Sequence, residues 1–245
     1  MKKNRPLLAK ILTLCIAGVA STAFAATCPT APYSVYIVPG FSCTLGILTF
    51  SNLAYVGTGN PNGIAIPASA VNVTPITTPG NEGFQFSVNM SVSSSGGSST
   101  FQDDLITMLV SAATPAITGA TLSFSSTFTG TGVTGVTENL CPNHDLIACP
   151  NTKQIAVFNP APSFTSSTTF PAAMSLSVSK DANATSGVNG TAAVPQFSNT
   201  FANNCGGSCP TPVTPTPLPP SFFLALTGLA MAGGFYHFRR KFARS

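Results

Sequence analysis

The stretch GFQFSVNMSV, residues 83–92, sets Phe84, Phe86, Val88, Met90 and Val92 at every second position with small or polar residues between them. A period of two gathers all five on one side of an extended chain, whereas a helix would scatter them around its axis. The same alternation recurs in TLSFSSTF, with Leu122, Phe124 and Phe128, and in MSLSVSK, with Met174, Leu176 and Val178. Each segment reads as an antiparallel strand with one buried and one solvated face. Further strand candidates are YSVYIV at 33–38, LGILTF at 45–50, GIAIPASAVNV at 63–73, DLITMLVSA at 104–112, GVTGVTE at 132–138 and KQIAVF at 153–158. Turn signals such as GTGNPNG, TPGNEG, SSSGGSS and GTGVTG fall between them. Many short strands with frequent turns predict an all-β fold, an antiparallel β-sandwich of immunoglobulin-like or jelly-roll-like type.

The formal charge of +4 belongs to the ends of the chain. Lys2, Lys3, Arg5 and Lys10 stand at the start, and Arg239, Arg240, Lys241 and Arg244 at the finish. Between them only Lys153 and Lys180 offset Glu82, Asp103, Asp104, Glu138, Asp145 and Asp181, which leaves the body near −4. With no basic patch to hold phosphates, nucleic acid is not an expected partner. The body is rich in Ser, Thr, Asn and Gly and has no Trp, a composition that favours strands and turns over charged amphipathic helices.

Residues 1–25 have a basic start, an apolar run from about Leu7 to Ala20, and Ala23 and Ala25 flanking Phe24. That is the three-part pattern of a secretory signal peptide, and it predicts a mature chain beginning at Ala26. Export makes disulfides accessible to the six remaining cysteines, Cys28, Cys43, Cys141, Cys149, Cys205 and Cys209. Pairing neighbours gives Cys28 with Cys43, Cys141 with Cys149 and Cys205 with Cys209, although six cysteines allow 15 connectivities. A zinc site is the competing reading. The spacings lack a repeated C-x2-C and offer only His144 nearby, so no metal is expected.

The globular domain is expected over residues 26–208, followed by a proline-rich, extended spacer at 209–220. Residues 221–238 are almost wholly apolar, and a basic tail fills 239–245. Eighteen helical residues rise roughly 27 Å, close to the minimum for a membrane span. Arg239, Arg240, Lys241 and Arg244 would hold the tail in the cytoplasm as a stop-transfer cluster. A permanent single-pass anchor is one reading of this tail.

The order of parts supports another. Pro217-Leu218-Pro219 abuts the apolar segment, Gly228 and Gly233-Gly234 lie within it, and Arg239-Arg240-Lys241 follows. This resembles the PEP-CTERM sorting signal of Gram-negative bacteria, with Leu218 where Glu is commonest. The segments CTLGILTFSNLAYVG at 43–57, GFQFSVNM at 83–90, QDDLITMLV at 102–110, TENLCP at 137–142 and SVSKDANATSG at 177–187 look like the recurring body of a group of such proteins. The resemblance implies export through the inner membrane, transient anchoring there, and cleavage of the tail by an exosortase near 219–221. It also implies a final place at the cell surface or in an extracellular matrix, with exopolysaccharide or other matrix components as partners.

No catalytic constellation stands out, and neither enzyme activity nor a cofactor is expected. His144 beside Asp145 is the sole histidine of residues 26–208, and adjacency in sequence is not triad geometry. Asp103 and Asp104 are neighbours in a predicted strand and so point to opposite faces, which sets them apart from the paired carboxylates of a glycosidase. The function expected is a structural or adhesive role linked to exopolysaccharide or biofilm. The alternative is a carbohydrate-binding module, for which Tyr33, Tyr36 and Tyr55 are the aromatic platform candidates.

Overall fold

The structure is a computed structural model that describes residues 26–60, 63–114, 116–160 and 164–204. The predicted signal peptide, Cys205, Cys209, the spacer with Pro217, Leu218 and Pro219, the apolar segment and the basic tail all lie outside the described residues. Among the described residues no helix is long and apolar enough to cross a membrane.

Thirteen strands are described: β1 (Ala26–Thr27), β2 (Ala31–Pro32), β3 (Ser42–Leu45), β4 (Leu48–Gly59), β5 (Asn72–Ile76), β6 (Asn81–Ser95), β7 (Phe101–Ala112), β8 (Ile117–Gly130), β9 (Val133–Pro142), β10 (Lys153–Asn159), β11 (Thr165–Ala173), β12 (Ser175–Thr185) and β13 (Asn189–Asn203). They form a seven-stranded sheet in the order β1-β3-β4-β7-β12-β9-β10 and a six-stranded sheet in the order β11-β8-β13-β6-β5-β2. Every pairing is antiparallel except β1 with β3. The expected β-sandwich is therefore the fold.

The alternating residues meet between the sheets. Phe84, Phe86, Val88 and Met90 of β6, Leu122 of β8 and Leu176 and Val178 of β12 are all buried. Phe50 packs on Phe84 with ring centres 4.5 Å apart, and Phe86 stacks on Phe197 at 5.1 Å. Burying a side chain of this size is worth roughly 1.5–3 kcal/mol. Met174 departs from the expected pattern: it lies in the bend between β11 and β12 and is half exposed.

Three strand expectations are corrected. Tyr33–Tyr36 is a short helix, α1, entered from Pro32. A strand would send Tyr33 and Tyr36 to opposite faces, whereas helical spacing of three brings both into the core, with ring centres 6.1 Å apart. The LGILTF segment is divided by Gly46, which turns at φ +56 between β3 and β4. Of GIAIPASAVNV, only Asn72 and Val73 are strand, because Pro67 leads into a single 3-10 turn at Ala68–Ala70.

The two disulfides among the described residues are Cys28–Cys43 and Cys141–Cys149, as neighbour pairing predicts. The first ties the β1 end of the chain to β3. The second closes a surface loop containing a 3-10 turn at Leu146–Ala148.

Candidate functional site

The solvent-facing side of the six-stranded sheet carries the most coherent chemistry. Register places Thr200, Ser198 and Gln196 of β13 beside Thr121, Ser123 and Ser125 of β8 on one flank. On the other flank they meet Gly83, Gln85 and Ser87 of β6, and Thr74 and Asn72 of β5 continue the rows outward. Thr165 and Ser167 of β11 extend them past β8. No residue on this stretch of face bears a charge. Cross-strand hydrogen bonds organise it: Gln85 Nε2 donates to Gln196 Oε1 at 2.9 Å, and the hydroxyls of Ser123 and Ser198 are 2.7 Å apart.

A bulge shapes the face. Pairing steps from Val194–Met90 to Gln196–Ser87, so two residues of β6 oppose Pro195 alone, and Asn89 takes φ 53 there. Proline has no N–H to give the ladder, which makes the bulge the place for it. Beside it a shallow cavity of about 170 Å3 is lined by Gln85, Ser123, Ser125, Gln196 and Ser198, with Phe124 and Phe197 beneath.

The outer side of the seven-stranded sheet is different. Asp103 and Asp181 lie close enough to hydrogen bond, and burial, then the charge and hydrogen bond of Asp181, push Asp103 up to about 6. Asp104 points inward, as the strand geometry requires, and is fully buried. The Tyr55 hydroxyl lies 2.7 Å from both the Ile66 carbonyl oxygen and Asp104 Oδ1. The carbonyl and the carboxylate therefore compete for the one hydroxyl proton of Tyr55. Burial pushes Asp104 up to about 7, with the Tyr55 hydrogen bond opposing and the Asp103 charge adding to the rise.

A carboxyl whose pKa is raised on folding contributes stability below its unfolded value, and that contribution is lost as pH rises through the folded value. For Asp104 the window runs from the ordinary 3.8 to about 7. We expect the urea midpoint to fall between pH 5 and pH 8. We expect Asp104→Asn to recover roughly 2–4 kcal/mol at pH 8. Equal midpoints for the two proteins at pH 8 would refute a neutral Asp104.

The remaining candidates are dispersed. His144 and Asp145 are exposed on the Cys141–Cys149 loop, beside a cleft of about 350 Å3 that His144 shares with Lys153 and Phe170. Among the described residues no three His, Cys, Asp or Glu side chains gather as metal ligands. Tyr33 and Tyr36 are buried in the core and Tyr55 is half-buried, so the three do not form an exposed aromatic platform. Ala26 is the first described residue and pairs with Cys43 through β1.

One group was missed in the sequence. Lys180 of β12 and Glu138 of β9 sit opposite each other in register, both with no exposure, Lys180 Nζ lying 3.9 Å from Glu138 Oε2. Asn199 of β13, from the facing sheet, donates through Nδ2 to Glu138 Oε1 at 3.1 Å and to the Thr121 carbonyl at 3.2 Å. Lys180 Nζ lies 5.9 Å from the Phe86 ring centre and 5.8 Å from that of Phe201. Burial lowers the Lys180 pKa and raises that of Glu138, the charge of each partner opposing the shift.

No known protein family and no curated protein matches the chain. Among solved structures, similarity extends to TmCBM61 in complex with beta-1,4-galactotriose, at 9% identity over 59% of this chain and 86% of that one, with a TM-score of 0.28. A Glycosylation Associate Protein complex from Streptococcus agalactiae matches at 12% identity over 62% of this chain and 26% of that one, TM-score 0.27. The family GH12 endoglucanase 3 of Trichoderma harzianum matches at 12% identity over 61% and 97%, TM-score 0.22. At these TM-scores the likenesses carry no argument about what this chain does.

Proposed function

We propose that this chain is an exported surface or extracellular-matrix protein with a structural or adhesive role, which associates with neutral exopolysaccharide through the outer side of the six-stranded sheet. The observation that carries this reading is the uncharged array of hydroxyls and amides running from Ser167 through Ser123, Ser198 and Gln85 to Thr74. Sugars are recognised by side chains of that type, which donate and accept hydrogen bonds without demanding a counter-charge. An open sheet face offers many such contacts to a long polymer and few to a small metabolite. The tail fits the same role: after export an exosortase would remove it and release the domain from the inner membrane.

The test has two parts. Binding of the purified domain to neutral polysaccharides is measured for the native protein and for the variant Gln85→Ala/Gln196→Ala. We expect the variant to bind at least about tenfold more weakly, the equivalent of roughly 1.4 kcal/mol. Unchanged binding would remove this side of the sheet from the proposal. C-terminal sequencing of protein recovered from its host tests the processing. A chain ending near 219–221 supports exosortase cleavage, whereas one retaining Arg239 in the membrane fraction favours a carbohydrate-binding module on a permanent anchor.

A further inference from the structure

The Lys180, Glu138 and Asn199 cluster has the composition of a reaction centre rather than that of a structural ion pair. A fully buried lysine ordinarily has its ammonium paired and hydrogen bonded. Here Lys180 Nζ, Glu138 Oε2 and Asn199 Oδ1 all lack hydrogen-bond partners, half of the six such buried side-chain atoms among the described residues. Three orphans in one contact group call for an explanation.

Their chemistry is complementary. Burial drives Lys180 and Glu138 towards the neutral amine and the neutral acid, and only the neutral amine has a lone pair with which to attack. Asn199 offers a carboxamide carbon whose nitrogen is already held by Glu138 Oε1 and the Thr121 carbonyl. One carboxyl therefore touches both prospective partners. Phe201 lies two residues beyond Asn199 on the inner face of β13, and Phe86 stacks on Phe197, two residues before it. Phe201, one of the two rings beside Lys180 Nζ, thus neighbours Asn199 on its strand, and the other, Phe86, is linked to that strand through Phe197.

We propose that Lys180 and Asn199 join in an intramolecular isopeptide bond, formed by the protein itself with Glu138 as proton carrier. Lys180 Nζ adds to Asn199 Cγ while the Glu138 carboxyl gives its proton to Oδ1. Glu138 then takes a proton from Nζ and delivers it to Nδ2, the Cγ–Nδ2 bond breaks as Oδ1 returns its proton, and ammonia leaves. Amine and carboxamide become a secondary amide and ammonia; nothing is oxidised or reduced, and no outside reactant is needed. The new bond would run from the middle of one sheet to the middle of the other, and it does not depend on what the outer side of either sheet binds.

The full chain, expressed with export, is denatured and reduced before mass measurement and digestion. We expect a mass lower by one ammonia than the processed sequence, and no tryptic cut after Lys180. Digestion with pepsin should then yield a branched peptide joining Lys180 to Asn199. Glu138→Ala is expected to restore both the full mass and the cut at Lys180. A native chain of full mass that trypsin cuts after Lys180 overturns the proposal. So does ammonia loss with Lys180 still cut, which would mean that an asparagine had cyclised on its own backbone. The native protein alone decides the matter if the Glu138 variant fails to fold.

Discussion

Glu138→Ala is expected to lower the unfolding free energy by about 3–5 kcal/mol, because it strands Lys180 in the core without a counter-charge. Lys180 and Glu138 are both fully buried, and Asn199 Nδ2 loses one of its two acceptors in the same change. Urea midpoints at neutral pH, with both disulfides intact, provide the measurement. Adding Lys180→Met to Glu138→Ala removes the stranded amine, and the double variant is expected to unfold at higher urea than Glu138→Ala alone. If the two variants unfold together, the stranded charge is not what makes Glu138 important.

Phe86→Ala is expected to cost a comparable 3–5 kcal/mol, roughly what removing a buried phenylalanine costs elsewhere. The ring stacks on Phe197, meets Phe84 and Tyr33 with centres 6.0 Å away, and lies under Lys180 Nζ. Its loss opens a cavity where both sheets and α1 converge, a place with little room to collapse. Phe158→Ala, at a ring that is 47% exposed on β10, should change stability by less than about 0.5 kcal/mol. Equal losses at the two positions would contradict the placement of the core.

Much of the fold was legible because alternation is a local signal. Phe84 to Met90, Leu122 with Phe124, and Leu176 with Val178 identify their own strands and their own inner faces, and the two observed disulfides join cysteines close in sequence. Tyr33–Tyr36 misled because its residues favour strands in isolation, and only the packing of both rings against Phe84 and Phe86 favours the helical turn.

The candidate sites were harder to read for different reasons. The serines and threonines of β8, β13 and β6 are visible as outward positions, but their union into one array depends on strand order, which brings residue 123 beside 198 and 198 beside 85. The buried cluster did leave a trace. Lys180 continues the phase of Leu176 and Val178, Glu138 that of Val136 and Leu140, and Asn199 stands between Phe197 and Phe201. Extending the alternation through those polar residues places all three inside. Taking charge as a mark of the surface hides them.

The position of β13 has a mechanical consequence. It is the last described strand before the tail, and it lies between β6 and β8, hydrogen bonded to both neighbours along most of its length. A pull on the chain beyond Asn203 enters along the axis of this central strand, so two ladders must shear at once instead of opening one rung at a time as a frayed edge strand does. At the other end β1 is only two residues long, yet Cys28 follows it directly and the bond to Cys43 halts a pull there. Tension between the two ends is therefore borne by a central strand and a covalent staple.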